Sequence, residues 1–321
     1  MIVNMASRNN RSIRRVLTKL EATIDSGNYY EAHQMYRTLY FRLLGQKKYS
    51  ELLKLLYNGS CILLQHERHA SGADLGILFV NVLTQSGTEP SEEYFEKIIN
   101  LFSLMSPLSP ERDVFVQSAL RWSIKATEHK IGHPDLHQKI AHVFWKEKNY
   151  PMARLHFIYS KDGFGCAEML VELHEQRGYT NEIDLFIAQV VLQYLCLQNK
   201  ATAQEVFDYY TTQHPKINSG PPYLLPLLNF LFFLLKTIDS GKLAVFTVLC
   251  EQYQISLNRD PCYRHYLDKI GQLFFNVPSP RPRNQGLFST LLQTCFHGLD
   301  EGSDDEQRNT ASTSQVVQEL D

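Results

Sequence analysis

The chain has 321 residues, of which 44% are hydrophobic and 21% charged, so it can bury a large core, and disorder is excluded for most of its length. Its formal net charge is -2 and its pI is about 6.6. No overall field therefore attracts it to nucleic acid or to an anionic membrane, and any basic site must be local.

The first predicted element is an amphipathic helix that includes residues 7–24. Its apolar face carries residues such as Ile13 and Leu20, and the opposite face is basic. The basic face includes Arg11, Arg15 and Lys19, and Arg14 lies at its flank. An Arg-rich start without acidic residues is also typical of a mitochondrial transit peptide, but acidic residues return at Glu21 with no break. We therefore favour a first helix of the fold, whose basic face is either simply solvated or docks on an acidic partner.

A short motif occurs twice, as Asn28-Tyr29-Tyr30-Glu31-Ala32 and as Asn149-Tyr150-Pro151-Met152-Ala153. In tetratricopeptide-type repeats, a small residue at the alanine position lets two antiparallel helices approach, and a later aromatic residue fills the groove between them. Tyr36 and Phe157 are in place for that role. With further helix starts at Ser91 and Ser109, the chain accommodates about 15 helices. The prediction is an all-α, right-handed α-solenoid of divergent helical hairpins.

Residues 223–235 form the most apolar segment, YLLPLLNFLFFLL. It is shorter than the roughly 20 residues that a membrane span needs, and Pro226 and Asn229 interrupt it. We expect a buried helix and no direct membrane insertion. The six cysteines are far apart and form no Cys-x-x-Cys pair, and we see no signal peptide, so we expect a cytosolic protein without disulfides.

Four histidines crowd together in the middle of the chain. They are His129, His133, His137 and His142. No His-Glu-x-x-His motif accompanies them, so capping or surface histidines are favoured over a metal site. The sequence also has no complete phosphate-binding loop, dinucleotide fingerprint or nucleophile elbow. We expect no enzymatic activity and no cofactor.

The C-terminal end of the array contains the single pattern that suggests strand. Tyr253 to Leu257 alternates apolar and polar residues, and turn-forming residues follow from Asn258 to Pro261. A short β-hairpin and an extended loop between helices are both compatible with this pattern. Residues 299–321 are rich in acidic and polar residues and predict a disordered acidic tail.

Several long segments resemble the Golgi-to-ER traffic protein 4 family. They include ERHASGADL (Glu67 to Leu75), SPERD (Ser109 to Asp113), GHPDLHQ (Gly132 to Gln138), WKEKNY (Trp145 to Tyr150) and MLVEL (Met169 to Leu173). In the C-terminal half the resemblance is to the animal members, over residues 186–200, 220–235 and 241–275. Such long matches are far more specific than any short motif.

The resemblance implies a non-enzymatic α-solenoid scaffold that works in post-translational delivery of tail-anchored membrane proteins to the endoplasmic reticulum. Its implied partners are a targeting ATPase, a ubiquitin-like protein subunit and a BAG-family scaffold protein, with no nucleic acid. The N-terminal half, residues 1–150, would face the ATPase through the basic face of the first helix. A share in the quality control of mislocalised hydrophobic proteins is also implied.

The C-terminal half, residues 151–298, would hold the ubiquitin-like or scaffold partner. Family members carry a short β-hairpin near that site, and the alternating segment is our candidate for it. The residues that we assign to this interface are Tyr253, Ile255, Leu257, Tyr263 and Tyr266. Two other classes of protein share features with the chain. One is a generic helical-repeat adaptor of a proteasome-lid or coat type. The other is an RNA-binding helical repeat, but the near-neutral net charge of the chain argues against RNA binding.

Overall fold

The computed structural model of the protein describes residues 2–124 and 130–278, with side chains from Ile13 onward. Regular structure in these residues is entirely helical, as predicted. The α-helices of this part of the chain are α1 (Ile2–Asp25), α2 (Tyr29–Gly45), α3 (Tyr49–Gln65), α4 (His69–Gln85), α5 (Glu92–Leu104), α6 (Pro110–Ser123), α7 (Pro134–Lys146), α8 (Tyr150–Ile158), α9 (Gly163–Arg177), α10 (Ile183–Cys196), α11 (Lys200–Gln213), α12 (Pro226–Ser240), α13 (Leu243–Gln252), α14 (Gln254–Leu257) and α15 (Cys262–Phe274). A 3₁₀ turn at Thr180–Glu182 precedes α10. The predicted acidic tail lies outside the described residues.

Most helices pack on the next helix in the chain and on the next but one. Helix α2 contacts α4, which contacts α6, and in a second row α3 contacts α5, which contacts α7. The pairs α9 with α11 and α10 with α12 continue this order. It is typical of a helical solenoid, in which each hairpin buries its apolar face on its neighbours. Helix α15 departs from the order because it returns to pack on α10.

The most apolar predicted segment becomes the N-terminal part of α12. Within the helix, the leucines and Phe230 are buried by neighbouring helices, whereas Leu224 in the preceding loop is exposed. The interrupting Asn229 holds the preceding loop, because its side chain accepts a hydrogen bond from the Tyr223 N–H and donates one to the Tyr223 carbonyl, both at 2.7 Å. In the described part of the chain, no helix has the combined length and hydropathy that a bilayer crossing requires.

Both copies of the predicted motif begin a helix as expected. The Asn28 side chain accepts a hydrogen bond from the Glu31 N–H at 3.3 Å, and the Asn149 side chain accepts one from the Met152 N–H at 3.4 Å. Ala32 and Ala153 are completely buried. An asparagine cap followed four residues later by a small buried residue therefore marks the second helix of a hairpin.

The same turn occurs at three further helix connections that the sequence did not reveal. In each, a non-glycine residue takes a left-handed conformation, with φ of 56° at Lys47, 61° at Glu67 and 58° at Gln198. The N–H of the following residue bonds back to the carbonyl five residues earlier, at 2.9–3.0 Å. This is the Schellman arrangement, which usually takes glycine, as at Gly27. Because glycine is absent from these three turns, the repeat is hard to see in the sequence.

Residues 253–257 form neither of the two structures that we predicted. Helix α14 occupies this segment, and the Leu257 N–H donates to the Tyr253 carbonyl at 3.0 Å. The described residues contain no strand. Tyr253 ends α13 and begins α14, so the backbone continues a helical path with a local bend. The alternation of apolar and polar residues over five positions is too short to specify a strand against this helical context.

Candidate partner-binding surfaces

The basic face of α1 is exposed, as the sequence predicts. Ile13 and Leu20 are buried, whereas Arg14, Arg15 and Lys19 lie on the solvent side. The backbone of Arg11 belongs to the same helix, and its side chain falls outside the described part. Among the described residues, no carboxylate forms an ion pair with Arg14 or Arg15. Lys19 differs, because its Nζ lies 2.8 Å from Oε1 of Glu31 on α2.

Helix α2, which packs on α1, exposes two aromatic side chains that our sequence analysis did not assign to a surface. They are Tyr30 and Phe41, on opposite ends of the helix. Between them, Arg37 Nη1 lies 3.4 Å from Asp74 Oδ1 on α4, and the other Asp74 oxygen is 2.8 Å from Nε2 of His33. The exposed surface of α2 therefore combines two aromatic side chains with an arginine, residue types that are enriched at protein interfaces.

The five residues predicted to form the C-terminal interface do not lie on one exposed surface. Ile255 is 90% exposed, and Tyr253 is half-buried with its ring 5.8 Å from that of Phe230. Leu257, Tyr263 and Tyr266 are buried. The Tyr266 hydroxyl accepts a hydrogen bond from Gln193 Nε2 of α10 at 3.1 Å. These three residues therefore hold the C-terminal helices together and on α10.

Helix α13 presents an apolar surface that our sequence analysis missed. Val245 and Val248 lie one turn apart on its solvent side, with 47% and 55% of their surfaces exposed. The other side is buried through Phe246, whose ring stacks on Phe275 at 4.5 Å, and Leu249. Phe233 of α12 is also exposed. An exposed cluster of apolar residues on a surface helix marks a candidate interaction site.

The crowded histidines have separate structural roles. His133 caps α7 by accepting a hydrogen bond from the Asp135 N–H at 3.3 Å, and His142 Nε2 lies 2.8 Å from an Asp162 oxygen. His137 is buried, which corrects our expectation of capping or surface positions for all four, and His129 lies outside the described residues. Across residues 2–124 and 130–278, no group of three or more histidine, cysteine or carboxylate side chains could hold a metal ion.

Two pairs of buried histidines face each other in the core. The Nδ1 atoms of His137 and His156 are 2.9 Å apart, and His214 Nε2 is 2.9 Å from His174 Nδ1. Burial, and then the neighbouring His137, holds the pKa of His156 well below 6.5. Burial, followed by His174, lowers the pKa of His214 from 6.5 to about 4. Both side chains are therefore neutral in the folded protein near neutral pH.

Acidification from about pH 6.5 to about pH 5 is expected to lower the free energy of unfolding, because the unfolded chain binds protons at these histidines and the folded chain does not. Each group contributes a slope of up to about 1.4 kcal/mol per pH unit. Urea unfolding, monitored by circular dichroism at several pH values, measures this dependence of the free energy of unfolding on pH. His214→Asn should flatten the slope, while the exposed His265→Asn should keep it. Equal stability at both pH values would contradict the prediction.

The packed helical hairpins, with basic and apolar surfaces on outer helices, define a helical repeat protein of the solenoid class. Within that class, the sequence model described as Golgi to ER traffic protein 4 matches residues 46–293. The chain belongs to this family.

Relatives in vertebrates match nearly the whole chain. The Golgi to ER traffic protein 4 homolog of Oryzias latipes is 50% identical over 315 residues, which cover 98% of this chain and 96% of the relative. The homolog of Homo sapiens is 50% identical over 300 residues, covering 94% and 91%. The crystal structure of C. therm. Get4 superposes with a TM-score of 0.77 at 25% identity, over 94% of this chain and all of that one.

Proposed function

We propose that this protein is a non-enzymatic scaffold subunit of a cytosolic complex that hands newly made tail-anchored membrane proteins to a targeting ATPase. The ATPase would deliver them to the endoplasmic reticulum, and the complex would share in quality control of mislocalised hydrophobic proteins. Membership of the Golgi to ER traffic protein 4 family carries this proposal. The fold supports it, because stacked helical hairpins provide extended surfaces for several partners.

In this proposal the protein forms a right-handed solenoid of tetratricopeptide-like hairpins and makes or breaks no bond itself. It holds a client-loaded complex and the receiving ATPase at a fixed separation. Tethering raises the effective concentration of one beside the other and can increase overall affinity by about 10²–10⁴ without any new contact. The free energy that holds the assembly together would come from the interfaces between this protein and its partners.

The ATPase would dock on the N-terminal half, residues 1–150, at the basic face of α1. The exposed positions of Arg14, Arg15 and Lys19 support this assignment, because a basic surface attracts an acidic partner and orients it. The exposed Tyr30 and Phe41 of α2 would supply apolar contact at the edge of the same surface.

A ubiquitin-like subunit or a BAG-family scaffold protein would dock on the C-terminal half, residues 151–298. The exposed side chains favour a contact through Ile255 and Tyr253, extended by Val245 and Val248 of α13. An exposed apolar surface of this kind, formed by α13 and α14, suits the apolar face of an amphipathic partner segment. The buried Leu257, Tyr263 and Tyr266 would support this surface from below.

A pull-down from cytosol with the tagged recombinant chain tests the proposed function. Recovery of a BAG-family scaffold protein or a ubiquitin-like protein, identified by mass spectrometry and then rebound as a purified component, is the expected result. If neither co-purifies, the targeting proposal is wrong, and a generic adaptor role becomes the better explanation.

Reversal of the basic face is expected to weaken binding to the purified ATPase at least about tenfold, because attraction at the interface becomes repulsion. The substitutions are to Glu at Arg11, Arg14, Arg15 and Lys19. Titration calorimetry at low and high salt measures the effect, and wild-type affinity should fall as salt rises. A matched control reverses four bases on other helices and loops, at the exposed Lys54, Arg121, Lys130 and Lys161. Equal losses in both variants would contradict a specific docking site.

A further inference from the structure

The ion pair between Lys19 and Glu31 joins the basic face of α1 to the first turn of α2. Lys19 Nζ lies 2.8 Å from Glu31 Oε1, and the two side chains are 66% and 43% exposed. The other oxygen, Oε2, accepts a hydrogen bond from Asn28 Nδ2 at 3.0 Å. Asn28 in turn caps the backbone N–H of Glu31. The carboxylate is therefore fixed by the capping arrangement as well as by the lysine.

This carboxylate changes the electrostatics of the basic face. Arg15 and Lys19 are four residues apart on one helix, where like charges repel each other. Glu31 offsets this repulsion, and it neutralises Lys19 while leaving Arg14 and Arg15 without a described ionic partner. A partner carboxylate that approaches Lys19 must therefore displace the Glu31 carboxylate, which is already paired with the lysine.

We propose that Glu31 is a built-in competitor of the acidic partner surface for Lys19. This inference rests on the proposed docking of the targeting ATPase on α1. In the free protein Lys19 binds Glu31, and in the complex an acidic side chain of the partner takes its place. Because Asn28 keeps hold of Glu31, the displaced carboxylate stays near the interface and repels the partner. The competitor thereby attenuates affinity and favours a partner whose acidic groups also reach the two arginines.

Glu31→Gln isolates the effect, because glutamine keeps the size of the side chain and the acceptor for Asn28 Nδ2 while removing the charge. Exposed ion pairs contribute little, so the expected result is about two- to fivefold tighter ATPase binding at low salt. The gain should shrink as salt rises, since both charges are exposed. Glu96→Gln is the matched control, because Glu96 is an exposed carboxylate of α5 that pairs with Lys139.

Titration calorimetry of the full-length variants with the purified ATPase distinguishes the outcomes. The competitor is supported if Glu31→Gln alone tightens binding in the wild-type background and produces no gain relative to Lys19→Gln when it is made in that variant. Equal gains in both glutamine variants reflect net charge only and overturn it. A purely structural ion pair predicts a change in thermal stability without any gain in affinity, which also overturns it.

The same experiment separates this inference from the proposed function. If the wild-type protein binds the ATPase and Glu31→Gln leaves that affinity unchanged or lowers it, the competitor proposal is wrong and the proposed ATPase docking still stands. An absence of any wild-type binding overturns the proposed docking and the competitor together.

Discussion

Replacement of Glu147 by alanine is expected to destabilise the protein by about 3–5 kcal/mol, because it leaves a buried guanidinium without a counter-charge. Arg112 of α6 is 3% exposed. Its Nη1 and Nη2 atoms donate to the two Glu147 oxygens at 3.0 and 2.5 Å. The rings of Phe102 and Phe144 pack against the guanidinium, with centroids at 4.0 and 5.5 Å. Burial of the guanidinium between two aromatic rings limits how much water can replace the lost carboxylate.

Urea unfolding of Glu147→Ala at about pH 7 measures this loss. Glu51→Ala, which removes an exposed carboxylate paired with Lys48, is the matched control, and an exposed pair contributes at most about 1 kcal/mol. Arg112→Met in the Glu147→Ala background should recover part of the loss, because an apolar side chain suits the site between the two rings. A loss below about 1 kcal/mol for Glu147→Ala would mean that the buried charge is solvated in some other way.

The position of this ion pair gives it a consequence for the proposed function. Phe102 belongs to α5 and Arg112 to α6, while Glu147 ends α7. The pair therefore fastens three successive helices in the middle of the array. A scaffold that holds two partners at a fixed separation depends on rigid packing between its ends.

Some hairpin turns are predictable from the sequence and others are not. Asn28 and Asn149 predict their helices correctly because an asparagine side chain caps a helix by local chemistry. The turn at Gln198 has the same signature, with Asn199 as the cap and Ala203 buried, but Lys47 and Glu67 take the left-handed conformation with no asparagine after them. No local pattern of the kind seen at Asn28 therefore reports the turns at Lys47 and Glu67.

The two candidate surfaces also differ in how well the sequence predicts them. The basic face of α1 is predictable because charge and helical period place arginines opposite a buried stripe. The proposed C-terminal interface is harder to predict from the sequence, because aromatic residues such as Tyr263 and Tyr266 suit a core and an interface equally well. Only the return of α15 onto α10 decides that both are buried. Val248 was missed for the converse reason, since an apolar helix looks internal until its outer side is seen to be exposed.

The ion pair between Arg259 and Asp184 predicts a second large effect, this time at the C-terminal end. Asp184 of α10 is 0% exposed. Its Oδ2 accepts a hydrogen bond from Arg259 Nη1 at 2.6 Å, and Arg259 Nη2 donates to the Asn181 carbonyl at 2.7 Å. The other oxygen, Oδ1, is buried without a hydrogen-bond partner among the described residues. Arg259→Ala therefore strands a buried carboxylate, with an expected loss of about 3–5 kcal/mol.

Arg259 lies between α14 and α15, so its loss should also loosen the surface that carries Ile255 and Val248. We expect weaker binding of the ubiquitin-like or scaffold partner together with lower stability. Val248→Asp should weaken the same binding without a loss of stability, because Val248 is exposed and an aspartate there faces water until the partner docks. Thermal melts and titration calorimetry of both variants separate the two mechanisms.

Arg264→Ala is the control for a lost arginine, because Arg264 is exposed on α15. Asp184→Asn added to Arg259→Ala should restore part of the stability, since it removes the stranded charge and leaves the volume of the side chain almost unchanged. Restored stability with restored binding would mean that Arg259 acts on the surface only by fixing α14 and α15. If stability returns and binding does not, Arg259 itself contacts the partner.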